Sequence, residues 1–197
     1  MSRNHNSNPD QGEVYISVDV EASGPIPGEY SLLSLGACAV GEPAVAFYVE
    51  LRPISGRFVL KALEVSGLSM EKLAASGRDP AEAIADFRDW VARTADGRRP
   101  VFVGFNASFD WSFVNWYFHK FLGDNPFGIG GLDIKAYYMG FSGCAWRDTT
   151  SSRLPREFQP ELPHTHNALD DARAQAEIFA KVLAASRSAP TGRGDQP

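Results

Sequence analysis

Val14-Tyr-Ile-Ser-Val-Asp19-Val-Glu21-Ala-Ser-Gly24 is the stretch whose reading decides the fold. The run from Val14 to Val20 is rich in β-branched and aromatic residues, the composition of a core strand. Side chains alternate across a strand, so Asp19 and Glu21 point to the same face. Two carboxylates side by side at a strand end repel each other unless a positive charge sits between them. A hard divalent cation, which prefers oxygen ligands, supplies that charge. The plain alternative is a strand that runs out into a solvated acidic turn, and this segment alone does not separate the two.

Working outward, residues 1–13 are polar and aperiodic and are expected to be a disordered tail. Residues 186–197 are rich in Ser, Gly and Pro and are expected to be another, with Arg193-Gly194-Asp195 there by chance. Residues 14–185 then make a single domain. After the opening strand, residues 32–40 and 44–51 read as strands joined by Gly41-Glu42-Pro43, an antiparallel meander. Short helical pieces are predicted near 60–65 and 70–75. A longer helix follows Asp79, a good N-cap, with Pro80 at its first position and Glu82 in its first turn. Ile84, Phe87 and Val91 share one face of it, with Trp90 at the edge.

Residues 101–105 are wholly apolar, the pattern of a central strand. An aromatic helix is predicted over 109–122, a short strand over 132–134 and a short helix over 135–141. Residues 142–163 read as a long loop, and the last helix covers 167–185. The order β-β-β-α-β-α-β-α indicates an α/β fold, a mixed sheet with an antiparallel meander and helices on both faces.

Composition narrows the function. A net charge of −5 argues against coating nucleic acid by bulk charge, but not against gripping it locally. Cys38 and Cys144 fit no metal or redox spacing, so reduced thiols and a cytoplasmic location are expected. No apolar run is long enough for a bilayer, no signal peptide is visible, and no membrane partner is expected.

Two further acidic sites matter. Asp110 closes Gly104-Phe-Asn-Ala-Ser-Phe-Asp110, at a strand-to-helix junction. His166-Asn-Ala-Leu-Asp170-Asp171 opens the last helix, and Asp171 lies about one and a half turns on from His166. Each has an ordinary reading as an acid that favours a helix N-terminus. Together with Asp19 and Glu21, however, all lie at the ends of elements, where ligands gather in sheet proteins. Four carboxylates and a histidine suit a two-metal phosphodiester hydrolase, in which the histidine takes a proton near neutral pH. A phosphatase of the haloacid type would want Asp-x-Asp and a lysine partner, whereas the second acid here is Glu21. A catalytically silent nucleic-acid-binding protein of the same fold is the other alternative.

The chain resembles the DEDDh family of 3′→5′ exonucleases, which includes ribonuclease T and polymerase proofreading subunits. The motifs stand as Asp19-Val-Glu21-Ala-Ser-Gly24, Asn106-Ala-Ser-Phe-Asp110 and His166-Asn-Ala168-Leu-Asp-Asp171. The resemblance implies a ribonuclease H-like fold and a pair of Mg2+ or Mn2+ ions. Asp19, Glu21 and Asp171 would hold one ion, Asp19 with Asp110 the other, and His166 would be the general base. It places the backbone of Ala22 and Ser23 at the terminal 3′-OH, Asn106 and Phe109 at the terminal nucleotides, and an apolar wedge at Leu32 or Leu33. The implied substrates are 3′ ends of single-stranded RNA or DNA, released as nucleoside 5′-monophosphates. The small stand-alone chain leans the expectation mildly towards RNA. Several relatives are homodimers, and Trp116, Tyr117 and Trp146 are candidates for an interface or for the core.

The chain departs from the family at Phe105, where many relatives have His, and at Ser66-Gly67-Leu68, where they carry a His-Gly-Ile-like turn. It departs again at 142–163, where Trp146, Arg147, Arg153 and Arg156 either grip nucleic acid or are merely solvated. His164 reads as a loop residue and His119 as structural or exposed.

Overall fold

The computed structural model describes residues 12–161 and 165–189. His5, His164, most of both expected tails and the Arg193-Gly194-Asp195 tripeptide lie outside the described residues. Strand β1 (Glu13–Ala22) is central to a five-stranded sheet. It pairs antiparallel with β2 (Leu32–Ala39), which pairs antiparallel with the edge strand β3 (Glu42–Glu50). On its other side it pairs parallel with β4 (Arg99–Gly104), and β4 with the short β5 (Leu132–Asp133). The order is β3-β2-β1-β4-β5, the mixed sheet with a meander that the sequence indicates.

Alternation along β1 sorts its residues onto two cores. Ile16, Val18 and Val20 join Leu35, Ala37 and Phe102 on one face. That face is covered by α3 (Pro80–Ala95) through Ile84, Phe87 and Val91, and by α4 (Ser108–Phe121) through Phe113, Val114, Tyr117 and Phe118. Phe87 and Phe118 stack with ring centroids 5.6 Å apart. Each such fully buried aromatic is worth roughly 1.5–3 kcal/mol of transfer from water. The Tyr117 hydroxyl accepts the Leu32 N–H at 2.8 Å, so Tyr117 is core, not interface. On the opposite face Val103 and Tyr15 meet Ile178, Phe179 and Val182 of α6 (Ala168–Ser188) and Ile134 and Tyr138 of α5 (Ile134–Ser142).

Helices α1 (Leu60–Ser66) and α2 (Met70–Ser76) lie where predicted. The Asp79 carboxylate caps α3 by accepting the Ala81 and Glu82 N–H groups.

Some boundaries need correction. β1 already pairs at Glu13, opposite Arg99, and α6 runs through residues 186–188, so regular structure extends beyond the expected 14–185 at both ends. Gly41, at φ 89°, makes so tight a turn that β3 starts at Glu42. The segment after α5 is not structureless. It winds through 3-10 turns at Trp146–Asp148, Ser151–Arg153 and Arg156–Phe158, pinned by buried Thr149, Leu154 and Phe158. Within it Arg153 is held by Asp148 at 2.8 Å, which occupies one of the guanidinium groups that could grip nucleic acid or be merely solvated. Trp146 is half exposed, with the Lys135 ammonium 4.3 Å from its ring centre. No helix among the described residues is long and apolar enough to cross a membrane.

Candidate active site

The carboxyl end of β1 is where the sheet loses a partner. β1 and β4 stay paired only as far as Ser17 and Val103, and β4 ends at Gly104. Past that point the Val20 N–H is taken by the Asp110 carboxylate at 3.1 Å, reaching back from the first turn of α4. The turn between β4 and α4 needs Asn106 at φ 68°, a left-handed conformation that asparagine tolerates better than most residues. Asp133 secures the same turn. One of its oxygens accepts the Ala107 N–H at 2.7 Å, and the other caps α5 through the Ala136 N–H at 2.8 Å.

Asp19 and Glu21 face α6, on the side of β1 away from α3 and α4. Gly36 explains how α6 comes so close. It is the register partner of Asp19 on β2, and a Cβ there would lie 2.2 Å from the backbone of Ala168 and Leu169. The missing side chain lets the first turn of α6 rest directly on the sheet. That turn is capped by Asn167, which accepts the Leu169 and Asp170 N–H groups, and His166 precedes it at φ 59°. Asp171 is buried, and its Oδ1 accepts the Thr165 N–H at 3.0 Å. Ligand atoms of Glu21, His166 and Asp171 all lie within 4.8 Å of one another.

Electrostatics at this point are adverse without a cation. Burial, then Asp110, Asp171 and Glu21, hold the Asp19 carboxyl well above the ordinary carboxylate range, with a Gln175 hydrogen bond acting the other way. Burial also pushes Asp110 up to about 8, against the hydrogen bond from Val20. Burial and the Asp171 charge push Glu21 up to about 7. Clustered carboxylates that resist ionisation for these reasons are the donor set a hard divalent ion relieves. Asp19, Glu21, Asp110 and Asp171, with His166 beside them, therefore fit the metal ions that the motifs imply.

The expected substrate contacts divide. Ala22 and Phe109 line a groove of about 470 Å3 together with Glu21, Pro25, Val59, Ala62 and Val65. Asn106 is exposed on its turn. Ser23 and Leu32 are both buried. The Ser23 N–H donates to Ser31 O, its carbonyl accepts the Val59 N–H at 2.7 Å, and its hydroxyl donates to Arg57 O. Leu32 and Leu33 are fully buried, because β2 is covered on both faces.

The sequence gives Asp133 no role beyond ending a short strand, and it leaves Gly36 and Gln175 unmarked, although a glycine inside an apolar strand is a signal of close backbone approach. It also leaves the wall of the groove unmarked. Helix α1 carries Leu60, Leu63 and Val65 yet buries no residue, which marks it as lining rather than core.

A cluster of acids and a histidine at the open end of a ribonuclease H-like sheet defines the DEDDh nucleases as a class. The chain belongs to the exonuclease family, whose RNase_T description matches residues 43–179. It is 54% identical over 168 residues to the 3′-5′ DNA exonuclease Cap18 of Escherichia coli, covering 85% of this chain and 90% of that protein. Among solved structures it superposes on the nuclease domain of 3′hExo, described as a DEDDh family member bound to rAMP. The TM-score is 0.69 at 13% identity, over 89% of this chain and 94% of that one. A 3′-exonuclease described in 3′-end-specific recognition of a histone mRNA stem-loop gives a TM-score of 0.70 at 14% identity. The match covers 88% of this chain but spans 64% of that one. These structural likenesses speak for the fold, and the close relative and the family match for a 3′-5′ exonuclease, a phosphodiester hydrolase.

Proposed function

We propose that the chain removes nucleotides one at a time from the 3′ ends of single-stranded DNA, releasing nucleoside 5′-monophosphates, with His166 as general base. The observation that carries this is the convergence of Glu21, His166 and Asp171 within 4.8 Å, beside half-buried Asp19 and buried Asp110. Asp19, Glu21 and Asp171 are the residues suited to one Mg2+ or Mn2+ ion, and Asp19 with Asp110 to a second. When bound, such ions supply a nucleophile at neutral pH and charge for the leaving oxygen. His166, on the exposed turn before α6, accepts the proton of the attacking water as the new P–O bond forms. The bond from phosphorus to the 3′-oxygen of the preceding nucleotide breaks, and that oxygen leaves with the shortened strand.

The groove beside Glu21 receives the terminal nucleotide. Its apolar wall of Ala22, Val59, Ala62, Val65 and Phe109 suits a base, and Lys61 among its lining suits a phosphate. DNA is preferred to RNA in this reading because the relative at 54% identity is named a DNA exonuclease. A homodimer is retained as part of the proposal, with half-exposed Trp146 rather than buried Tyr117 as its aromatic.

Matched single-stranded DNA and RNA, labelled at the 5′ end, test the proposal with Mg2+, with Mn2+ and with EDTA. DNA should shorten from its 3′ end in both metals and stay intact in EDTA. Intact DNA in the presence of metal would favour a silent binding protein, and faster loss of RNA would overturn the substrate.

A further inference from the structure

Gln175 stands on α6 one turn after Asp171, buried, and is used by none of the roles above. Its side chain is doubly engaged. Oε1 accepts the Phe105 N–H at 2.8 Å, where β4 has just ended, and Nε2 donates to Oδ1 of Asp19. The first bond decides the second. An amide whose carbonyl is committed to a backbone N–H must turn its NH2 the other way, so Asp19 always faces a donor.

We propose that Gln175 is a positioning residue. It holds the Asp19 carboxylate in one orientation for a divalent cation, and ties it to the end of β4 and to the helix that bears Asp171. Asp19 is thus tied to two of the elements that build the site. A neutral donor is suited to this task. A lysine would compete with the cation for the carboxylate, and an apolar side chain would take away the partner of both Asp19 Oδ1 and the Phe105 N–H at a partly buried position. This inference rests on the metal-dependent reading of the same site.

The experiment is Mn2+ binding by the full chain without substrate, measured by titration calorimetry, for wild type and Gln175→Met, which keeps the length and removes both polar ends. Loss of an outer-shell partner weakens metal affinity by roughly 10- to 100-fold, and that is the expected effect. In turnover, the Mn2+ concentration for half-maximal rate should rise by the same factor while the KM for DNA stays put. A wild type that takes up no Mn2+ overturns the metal reading and this inference with it. A wild type that binds while Gln175→Met binds equally well overturns the inference alone. Should Gln175→Met fail to fold, the wild-type protein still answers. The side-chain amide signals of Gln175 in a 15N spectrum should shift on saturation with Mg2+, and signals that ignore Mg2+ would show a purely structural bridge.

Discussion

Removing the charge from Asp110 should stabilise the metal-free protein while abolishing its activity. The carboxyl is buried on α4 and pushed from an ordinary 3.8 up to about 8, first by burial. In the unfolded chain it ionises near its ordinary value. Between about pH 4 and pH 8 the folded state therefore holds a proton that the unfolded chain has lost, and stability falls as pH rises through that window. At 1.36 kcal/mol per pH unit the full interval is an upper bound of about 6 kcal/mol. Relaxation around the charge reduces this, and a working figure of about 2–4 kcal/mol follows from the softer effective dielectric of real sites. Asp110→Asn keeps an oxygen for the Val20 N–H and carries no charge at any pH. Thermal melts in EDTA from pH 5 to pH 9 are the assay. For a chain of this size each kcal/mol moves the midpoint by roughly 2–4 °C, so Asn should raise it by about 5–15 °C at pH 8 and flatten the pH dependence. An unchanged or lower midpoint at pH 8, with the wild-type slope retained, would refute the reasoning.

Mg2+ should act in the opposite sense on the wild type. Saturation at about a hundredfold above its dissociation constant adds roughly 2.7 kcal/mol, read as a rise in midpoint that Asp171→Asn loses. His166→Asn keeps a residue suited to φ 59° and should fold normally, yet lower kcat by about a hundred- to ten-thousand-fold in single-turnover assays; near-normal kcat would remove His166 as the base. Gly36→Ala drives a methyl into the backbone of Ala168 and Leu169. It should cost about 1–3 kcal/mol in denaturant melts and lower activity more than stability, because the turn carrying His166 and Asp171 shifts.

Much of the site is local and could be read directly. Asp19 and Glu21 share a face because strands alternate, and Asp110 and Asp171 announce themselves at helix starts. Asp79 is a cap by residue type, and the structure uses it as such. What eluded the sequence depends on partners far along the chain. Ser23 looks like a free small residue of a turn, but Ser31, Arg57 and Val59 consume its polar atoms. Leu32 looks like an exposed wedge, but the hydroxyl of Tyr117 and the core enclose it. The 142–161 segment looks unstructured because its anchors, Leu154 and Phe158, follow no periodicity that a single segment reveals.

The opening strand illustrates the division. Sequence alone determined that β1 is a core strand ending in two carboxylates on one face, since alternation and composition are properties of the strand itself. Only the tertiary structure decided what those carboxylates face. Gly36 lets α6 settle on the sheet, Asp110 takes the backbone donor left open where β4 stops, and Gln175 joins Asp19 to Phe105. These contacts span 70 to 156 residues, and no local rule of spacing can carry a hydrogen bond that far.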